Sequence, residues 1–220
     1  MPEEPKSVVV TPELHEYLVA HGSPPDAIQL DLISETKALG PIAGMQISPE
    51  QGAFMELLVR TVAARVVVEV GTFTGYSALC MARGLPPDGR LIACDVNEEW
   101  TSIGRRYWDR AGVGGKIELR IAPASVTLSA LPPDLLVDLA FIDADKVGYA
   151  TYYEELLKRM STGGLILVDN VLWSGRVVDE SVTDADTVAI RDFNDFVAAD
   201  DRVDVVMLPI ADGLSLIRVK

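Results

Sequence analysis

The sequence contains little cysteine, histidine or basic charge, and each shortage argues against a class of function. Cys80 and Cys94 are the only cysteines; each lies in an apolar stretch, and neither has a neighbouring histidine. A zinc site is therefore not expected, and buried thiols in a reducing compartment fit this pattern better than a disulfide. The 19 basic residues are outnumbered by 33 acidic ones, which gives a net charge of −14. A chain this acidic would repel a phosphate backbone, so no nucleic-acid partner is expected.

Long apolar runs are also missing. No stretch reaches the ~18–20 apolar residues that span a bilayer, and residues 1–7 lack the pattern of a signal peptide. We therefore expect a cytoplasmic protein with no membrane partner. Hydrophobic residues make up 49% of the 220 residues, enough for a sizeable core. The sequence predicts one domain over 1–220, with a flexible tail at 1–10, N-terminal helices at 11–63 and a core at 64–220.

Capping residues followed by proline mark three helices before residue 64. Thr11-Pro12 begins the first predicted helix, and Ser23-Pro24-Pro25 precedes the second, which ends near Gly40. Ser48-Pro49 begins the third, which runs to about Ala63. Proline at the first helical position after a small polar residue is typical of a helix start.

Beyond residue 64, short β-branched runs alternate with helical segments. The predicted strands are 66–70, 91–95, 117–121, 137–142, 165–169, 203–208 and 214–219, and the predicted helices are 76–83, 98–111, 125–131, 149–160 and 186–199. This alternation predicts a parallel sheet with helices on both faces. The short turn at 209–213 makes the final two strands a hairpin, so one of them runs antiparallel. The predicted fold is α/β, with a seven-stranded Rossmann-like sheet that resembles the class I methyltransferase fold.

Ligands in such a sheet bind beyond the carboxyl ends of the strands. The first strand end carries Glu69, Gly71 and Thr72, and its glycine allows a ligand to approach the backbone closely. The turn is neither G-x-G-x-x-G nor followed by G-K-[ST], which weakens dinucleotide and P-loop interpretations. A plain strand–helix connection remains an alternative. Asp95 lies 24 positions after Gly71, near the ~20 typical of a ribose-binding acid, although it could instead cap the next helix.

The fourth and fifth strand ends carry a set of oxygen ligands. Asp143 ends one strand, and Asp169 and Asn170 end the next. Two carboxylates and one amide suit a hard cation such as Mg²⁺. The alternative is that both aspartates cap helices or bind backbone amides, but two carboxylates at one sheet edge would repel each other without a cation.

Two further residues follow those strand ends. Lys146 comes three residues after Asp143 and could accept a proton from a substrate, although a solvated lysine paired with Asp145 is equally compatible with its position. Trp173 lies in the loop after Asn170, where an indole could stack on a flat substrate.

Three segments together carry a family resemblance. They are 68–77 (VEVGTFTGYS), 141–146 (FIDADK) and 169–175 (DNVLWSG). In combination they resemble the cation-dependent O-methyltransferases, which include the caffeoyl-CoA type, its bacterial relatives and, more distantly, catechol O-methyltransferase. The resemblance extends over nearly the whole chain from about residue 30.

The resemblance implies a binding site for S-adenosylmethionine. By position, the implied cofactor contacts are Met45, Glu69, Gly71, Thr72, Ser77, Asp95, Ala124 and Asp143. Among these, Glu69, Gly71 and Ser77 would hold the methionine part. Asp95 would hold the ribose, and Ala124 would lie beside the adenine.

The resemblance also implies a metal and a catalytic group. Asp143, Asp169 and Asn170 would bind a divalent cation, with Mg²⁺ as the expected ion. Lys146 matches the lysine proposed as general base in the catechol enzyme, so Lys146 and Asp143 would be the catalytic residues. Met45 matches a segment that covers the entrance to the site.

The expected function is metal-dependent methyl transfer from S-adenosylmethionine to a hydroxyl of a small catechol-like or caffeoyl-type phenol, by a homodimer. One alternative is a metal-independent methyltransferase that acts on another small acceptor. A second is a non-catalytic protein that senses S-adenosylmethionine. A nucleotide-dependent oxidoreductase is weakened by the missing G-x-G-x-x-G motif.

Overall fold

The computed structural model describes residues 8–220, so the first seven residues of the predicted tail lie outside it. The helices are α1 (Pro12–His21), α2 (Ala27–Lys37), α3 (Pro49–Thr61), α4 (Tyr76–Gly84), α5 (Glu98–Arg110), α6 (Ala124–Ser129), α7 (Tyr149–Leu157) and α8 (Ala185–Ala198). The strands are β1 (Val66–Val70), β2 (Arg90–Asp95), β3 (Ile117–Ile121), β4 (Val137–Ile142), β5 (Met160–Asp169), β6 (Val203–Leu208) and β7 (Leu214–Val219). Short 3₁₀ segments lie at Gly40–Met45, Gly114–Lys116, Lys146–Gly148 and Trp173–Val178.

The seven strands form one mixed sheet in the order β3-β2-β1-β4-β5-β7-β6. The first five strands are parallel, whereas β7 runs antiparallel to both β5 and β6. The predicted α/β fold with a C-terminal antiparallel hairpin is therefore confirmed. The single-domain assignment over 1–220 stays a prediction.

The central strands are buried on both faces because helices cover both sides of the sheet. One layer of the core packs Val67, Leu91 and Leu139 against α3 and α4, and the other packs Val68 and Ile166 against α7 and α8. The apolar runs that predicted these strands from the sequence are thus explained by their two-sided burial.

The largest difference from the predicted elements is at β5. This strand begins at Met160, whereas the sequence predicted a helix to residue 160 and a strand only from 165. Met160 pairs with Val137 across an irregular register, and the Ser161 hydroxyl donates to the Val137 carbonyl at 3.1 Å. Pairing with β4 therefore extends the strand, a tertiary effect that local propensity does not show.

The N-terminal helices differ in how they are held. No described residue of α1 is buried, although Thr11 caps it as predicted. In contrast, α3 buries Met55 and Val59 and packs closely on α4. A Cβ on Gly52 would lie 2.8 Å from Tyr76 Cε1, so the small residue permits the helices to approach. Among residues 8–220, no helix is long and apolar enough to cross a membrane.

Candidate active site

A cavity of about 910 Å³ opens at the carboxyl ends of the strands. Eleven of the predicted site residues line it: Met45, Gly71, Thr72, Ser77, Asp95, Ala124, Asp143, Lys146, Asp169, Asn170 and Trp173. These residues come from segments far apart in the sequence, and the parallel sheet brings them to one edge. The remaining residue, Glu69, is fully buried and does not line the cavity.

The turn after β1 is held by Asp95. The backbone amides of Thr72 and Phe73 donate to Asp95 Oδ2 at 2.9 and 2.8 Å. Asn97, not Asp95, caps the following helix, because the Asn97 side chain accepts from the Trp100 amide at 2.9 Å. The helix-cap alternative for Asp95 is therefore wrong. Asp95 fixes the turn and still lines the cavity.

Gly71 is required at the start of this turn for two reasons. Its φ is +90°, a conformation that favours glycine, and a Cβ there would collide with the Asp143 carbonyl. Glycine thus permits the turn after β1 to approach the segment after β4, and Gly71 also lines the cavity.

Glu69 is a buried carboxyl beneath the same turn. The Thr72 hydroxyl donates to its Oε2 at 2.9 Å, and its Oε1 has no hydrogen-bond partner among the described residues. Burial raises the pKa of Glu69 to about 8, and the negative charges of Asp95 and Asp143 add to the rise. A cationic group nearby would favour the ionised form.

The structure brings the three predicted metal ligands, Asp143, Asp169 and Asn170, close to the amino group of Lys146. Lys146 Nζ lies 3.1 Å from Asp143 Oδ1 and 2.6 Å from Asn170 Oδ1, and Lys146 is only 8% exposed. Asp169 lies next to Asn170 at the end of β5, and its Oδ1 accepts from the Asn170 amide at 2.7 Å. The solvated-lysine alternative for Lys146 is therefore wrong.

The surroundings of Asp143 and Asp169 destabilise the ionised form of both carboxyl groups. Burial raises the pKa of Asp143, and Lys146 opposes that rise. Burial, followed by the charge of Asp143, raises the pKa of Asp169. No three His, Cys, Asp or Glu side chains converge within residues 8–220, so the set provides two carboxylates and one amide oxygen. Such a donor set fits a hard cation that keeps other ligands from water or substrate.

Gln51 of α3 contributes to the site and was not predicted. Its Nε2 donates to Asp169 Oδ2 at 2.8 Å across 118 positions of sequence, and the residue is fully buried. With the Asn170 amide on the other oxygen, both Asp169 oxygens are held. The only local signal was a polar residue at a buried position of an otherwise amphipathic helix.

Two tyrosines also contribute. The Tyr149 hydroxyl accepts from Lys146 Nζ at 2.6 Å and donates to the Asp169 carbonyl at 3.0 Å. Tyr152 of α7 is buried, but it lines the cavity, and its hydroxyl donates to Asp145 Oδ1 at 2.5 Å.

The loop after β5 has a strained backbone. Asn170, Trp173 and Ser174 have φ values of 59°, 48° and 53°, which few residues other than glycine adopt. The Asn194 side chain donates to the Val171 carbonyl at 2.9 Å and helps to hold the loop. The Trp173 ring centroid lies 5.5 Å from Lys146 Nζ, so the indole faces the same cluster.

The chain is similar in sequence to known proteins. The sequence profile of a family described as O-methyltransferase matches residues 21–220. A probable caffeoyl-CoA O-methyltransferase of Dictyostelium discoideum is 42% identical over 91% of this chain and 89% of its own length. Caffeoyl-CoA O-methyltransferase 2 of Zea mays is 38% identical over 97% of this chain and 85% of its own length.

The chain belongs to the O-methyltransferase family. Among solved structures, an O-methyltransferase from Bacillus cereus in complex with SAH is 31% identical with a TM-score of 0.87, covering 94% of this chain and 97% of that one. The O-methyltransferase TomG from Streptomyces achromogenes, in complex with SAM, is 28% identical with a TM-score of 0.87. The match covers 94% of this chain and 96% of that one. The predicted assignment to the S-adenosylmethionine-dependent O-methyltransferases is confirmed for family, fold and enzyme class.

Proposed function

We propose that this O-methyltransferase transfers the methyl group of S-adenosylmethionine to a hydroxyl of a small catechol-like phenol that a divalent cation holds in place. One observation carries the proposal: Asp143, Asp169 and Asn170 converge in the cavity that the glycine-containing turn also lines. The caffeoyl-CoA O-methyltransferases among the relatives support a phenolic acceptor.

The cofactor side of the proposed site lies over β1 and β2. Gly71 and Thr72 leave the backbone open to the methionine part, near Ser77, and the unpaired oxygen of buried Glu69 suits its ammonium group. Asp95 Oδ2 accepts from two turn amides, whereas Oδ1 accepts only from the Asn97 amide and keeps a lone pair that would accept from a ribose hydroxyl. Ala124 lies at the start of α6, where a small side chain leaves room for adenine. Met45 would cover the entrance, and Asp143 would complete the cofactor contacts.

The acceptor side lies over β4 and β5. Asp143, Asp169 and Asn170 would hold the cation, which supplies Lewis acidity that lowers the pKa of the acceptor hydroxyl. Trp173 would stack on the acceptor ring. These residues keep the ring and its oxygens fixed relative to the cofactor.

In its neutral amine form, Lys146 would receive the acceptor proton. Its Nζ already contacts Asp143 and Asn170, and the Tyr149 hydroxyl fixes its position. The acceptor oxygen then forms a bond to the methyl carbon as the carbon–sulfur bond breaks, and S-adenosylhomocysteine leaves. Holding the two reacting atoms in line can contribute about 7–11 kcal/mol to such a step.

A metal-independent methyltransferase is the second candidate, and one observation favours it. The Lys146 ammonium by itself links Asp143 and Asn170, so the cluster already contains a positive charge. In that case Lys146 would bind the acceptor oxygen directly.

The test is methyl transfer from labelled S-adenosylmethionine to a panel of catechols and caffeoyl esters, first with Mg²⁺ and then with excess chelator. We expect chelation to abolish transfer and Mg²⁺ to restore it. Transfer that persists under chelation would select the metal-independent candidate. Cofactor binding without transfer to any acceptor of the panel would mean that the proposed acceptor class is wrong.

The matched variants are Asp169→Asn and Asp192→Asn. Both remove one carboxylate, but Asp192 is exposed on α8 and does not line the cavity. Only Asp169→Asn should lose Mg²⁺-dependent transfer.

A further inference from the structure

Five residues that line the cavity have a buried polar atom with no hydrogen-bond partner among residues 8–220. The atoms are Gln46 Oε1, Ser48 Oγ, Gln51 Oε1, Tyr76 Oη and Trp173 Nε1. An unpaired buried polar atom costs free energy, and in folded proteins such an atom is usually paired, if not by protein then by ordered water or a ligand. The first three belong to the segment 46–51, which joins a 3₁₀ turn to α3. This segment therefore offers hydrogen-bonding positions that the described residues leave unused.

The orientation of the Gln51 amide is fixed. Gln51 is fully buried although it lines the cavity, so it lies in a part of the wall that bulk solvent does not reach. Its Nε2 donates to Asp169 Oδ2 at 2.8 Å. Because an ionised carboxylate accepts hydrogen bonds and donates none, the amide nitrogen must face Asp169 and the amide oxygen must face away from it. Gln51 Oε1 is therefore an acceptor in a set position that lacks a donor.

The other donors of the proposed complex have partners elsewhere. The Lys146 ammonium has three N–H bonds, and three oxygen atoms of the described chain already accept from them. The ammonium group of the cofactor is assigned to Glu69 and its ribose hydroxyls to Asp95, both over β1 and β2. A donor for Gln51 Oε1 that displaces water must therefore come from the methyl acceptor.

The place of Gln51 indicates which part of the acceptor meets it. Oε1 and Nε2 belong to one amide group, so Oε1 lies beside Asp169, a proposed ligand of the cation that holds the acceptor hydroxyls. The group that reaches Oε1 is therefore a ring substituent next to those hydroxyls and not a distant tail. An amide oxygen only accepts, so this substituent must donate; a hydroxyl does so, whereas a methoxy group or a halogen does not.

We propose that Gln51 Oε1 selects acceptors with a third hydroxyl beside the hydroxyl pair, so that a ring with three adjacent hydroxyls binds better than a catechol ring. Gln51 then has two functions: its nitrogen positions Asp169, and its oxygen accepts from the third hydroxyl of the acceptor. A site whose buried acceptor is left unpaired by the wrong ligand discriminates against that ligand. The inference rests on the proposed binding of a phenol beside Asp169.

The first test measures binding without turnover. Full-length protein with S-adenosylhomocysteine and saturating Mg²⁺ is titrated in a calorimeter with methyl 3,4-dihydroxybenzoate, methyl 3,4,5-trihydroxybenzoate and methyl 3-fluoro-4,5-dihydroxybenzoate. Fluorine is close to a hydroxyl in size but donates no hydrogen bond, so it separates donation from shape. We expect the Kd of the trihydroxy ester to be about tenfold lower than that of the fluoro ester, as one hydrogen bond to a buried oxygen would give.

The second test removes the amide. In Gln51→Met the ratio of the two Kd values should fall to about twofold or less, because the third hydroxyl has lost its partner. Comparing two esters within one protein cancels any change in cation affinity that both share. Gln29→Met is the control, since Gln29 is also buried but does not line the cavity, and it should keep the ratio of the unmodified protein. Thermal melts establish that both variants are folded.

Equal affinity of the unmodified protein for the trihydroxy and fluoro esters would overturn this inference, because water would then satisfy Gln51 Oε1, and would leave the proposed reaction intact. A preference that persists in folded Gln51→Met would also overturn it, because the third hydroxyl would then meet another group. Failure of all three esters to bind would refute the proposed acceptor class, and this inference with it.

Discussion

At the residue scale, the orientation of Asp169 depends on hydrogen bonds from two distant parts of the chain. The backbone amide of Asn170 donates to one oxygen, and the side-chain amide of Gln51, on α3, donates to the other. Partners of this kind fix the direction in which a carboxylate presents its lone pairs to a cation. Gln51 is therefore a positioning residue in the proposed site.

Replacing Gln51 by Met keeps the length of the side chain and removes the donor. We expect Mn²⁺ affinity, measured by calorimetric titration, to fall about tenfold to a hundredfold. Gln29→Met is the control, since Gln29 is also buried but its amide contacts Cys80. Unchanged Mn²⁺ affinity in a folded Gln51→Met protein would contradict the positioning of Asp169 by Gln51.

The raised pKa of Glu69 predicts that the stability of the fold depends on pH. Its pKa in the folded protein, about 8, lies above the ordinary 4.5. The folded state thus binds this proton more tightly, so the contribution to stability is complete below about pH 4.5 and is lost as the pH rises through about 8.

Without ligands, the melting temperature should fall between pH 6 and pH 9. Glu69→Gln should reduce this fall by at least about 2–4 °C, the shift that ~1 kcal/mol gives in a chain of this size. Parallel pH profiles for the two proteins would contradict the assignment of the titration to Glu69.

At the element scale, the sequence predicted every strand of the sheet, and the failures occurred at boundaries. The apolar runs that form β1 and β4 are buried on both faces, so their composition predicted them. In contrast, β5 begins at Met160, five residues before the predicted start at 165, because it pairs with β4. Pairing across the sheet is a long-range contact that a local pattern does not contain.

The contact between α3 and α4 gives a prediction about stability. Gly52→Val should lower the free energy of unfolding by about 1–3 kcal/mol, because the new side chain would meet Tyr76 and Cys80 in a packed interior. Gly115→Ala is the control, since a Cβ there would have no heavy atom within 4 Å. Urea unfolding of both proteins measures the difference, and equal losses would argue against close packing at Gly52.

At the scale of the whole molecule, the sequence predicted most of the proposed site because its residues follow the strand ends. Asp95 and Asp169 end strands and Asp143 directly follows one, and a parallel sheet aligns such ends. Gln51 could not be predicted, since it comes from a helix that packs on the edge of the cavity rather than from a strand end. The homodimer and the cytoplasmic location stay predictions.

Binding of a divalent cation should stabilise the whole fold. A ligand that binds only the folded state adds about 2.7 kcal/mol at a hundred times its dissociation constant. We expect Mg²⁺ or Mn²⁺ to raise the melting temperature and chelator to reverse the rise, and we expect neither effect in Asp169→Asn. If Mg²⁺ and Mn²⁺ leave the melting temperature of the unmodified protein unchanged, the metal-independent candidate is favoured.

The strand order also has a consequence for biosynthesis. In the described chain β6 pairs only with β7, which follows it in sequence but lies between it and β5 in the sheet. While the protein is being translated, β6 therefore leaves the ribosome before its partner exists. The wait is short, because only residues 209–213 separate the two strands, but Val205, Val206 and Met207 stay exposed on this edge strand even after β7 has paired with it.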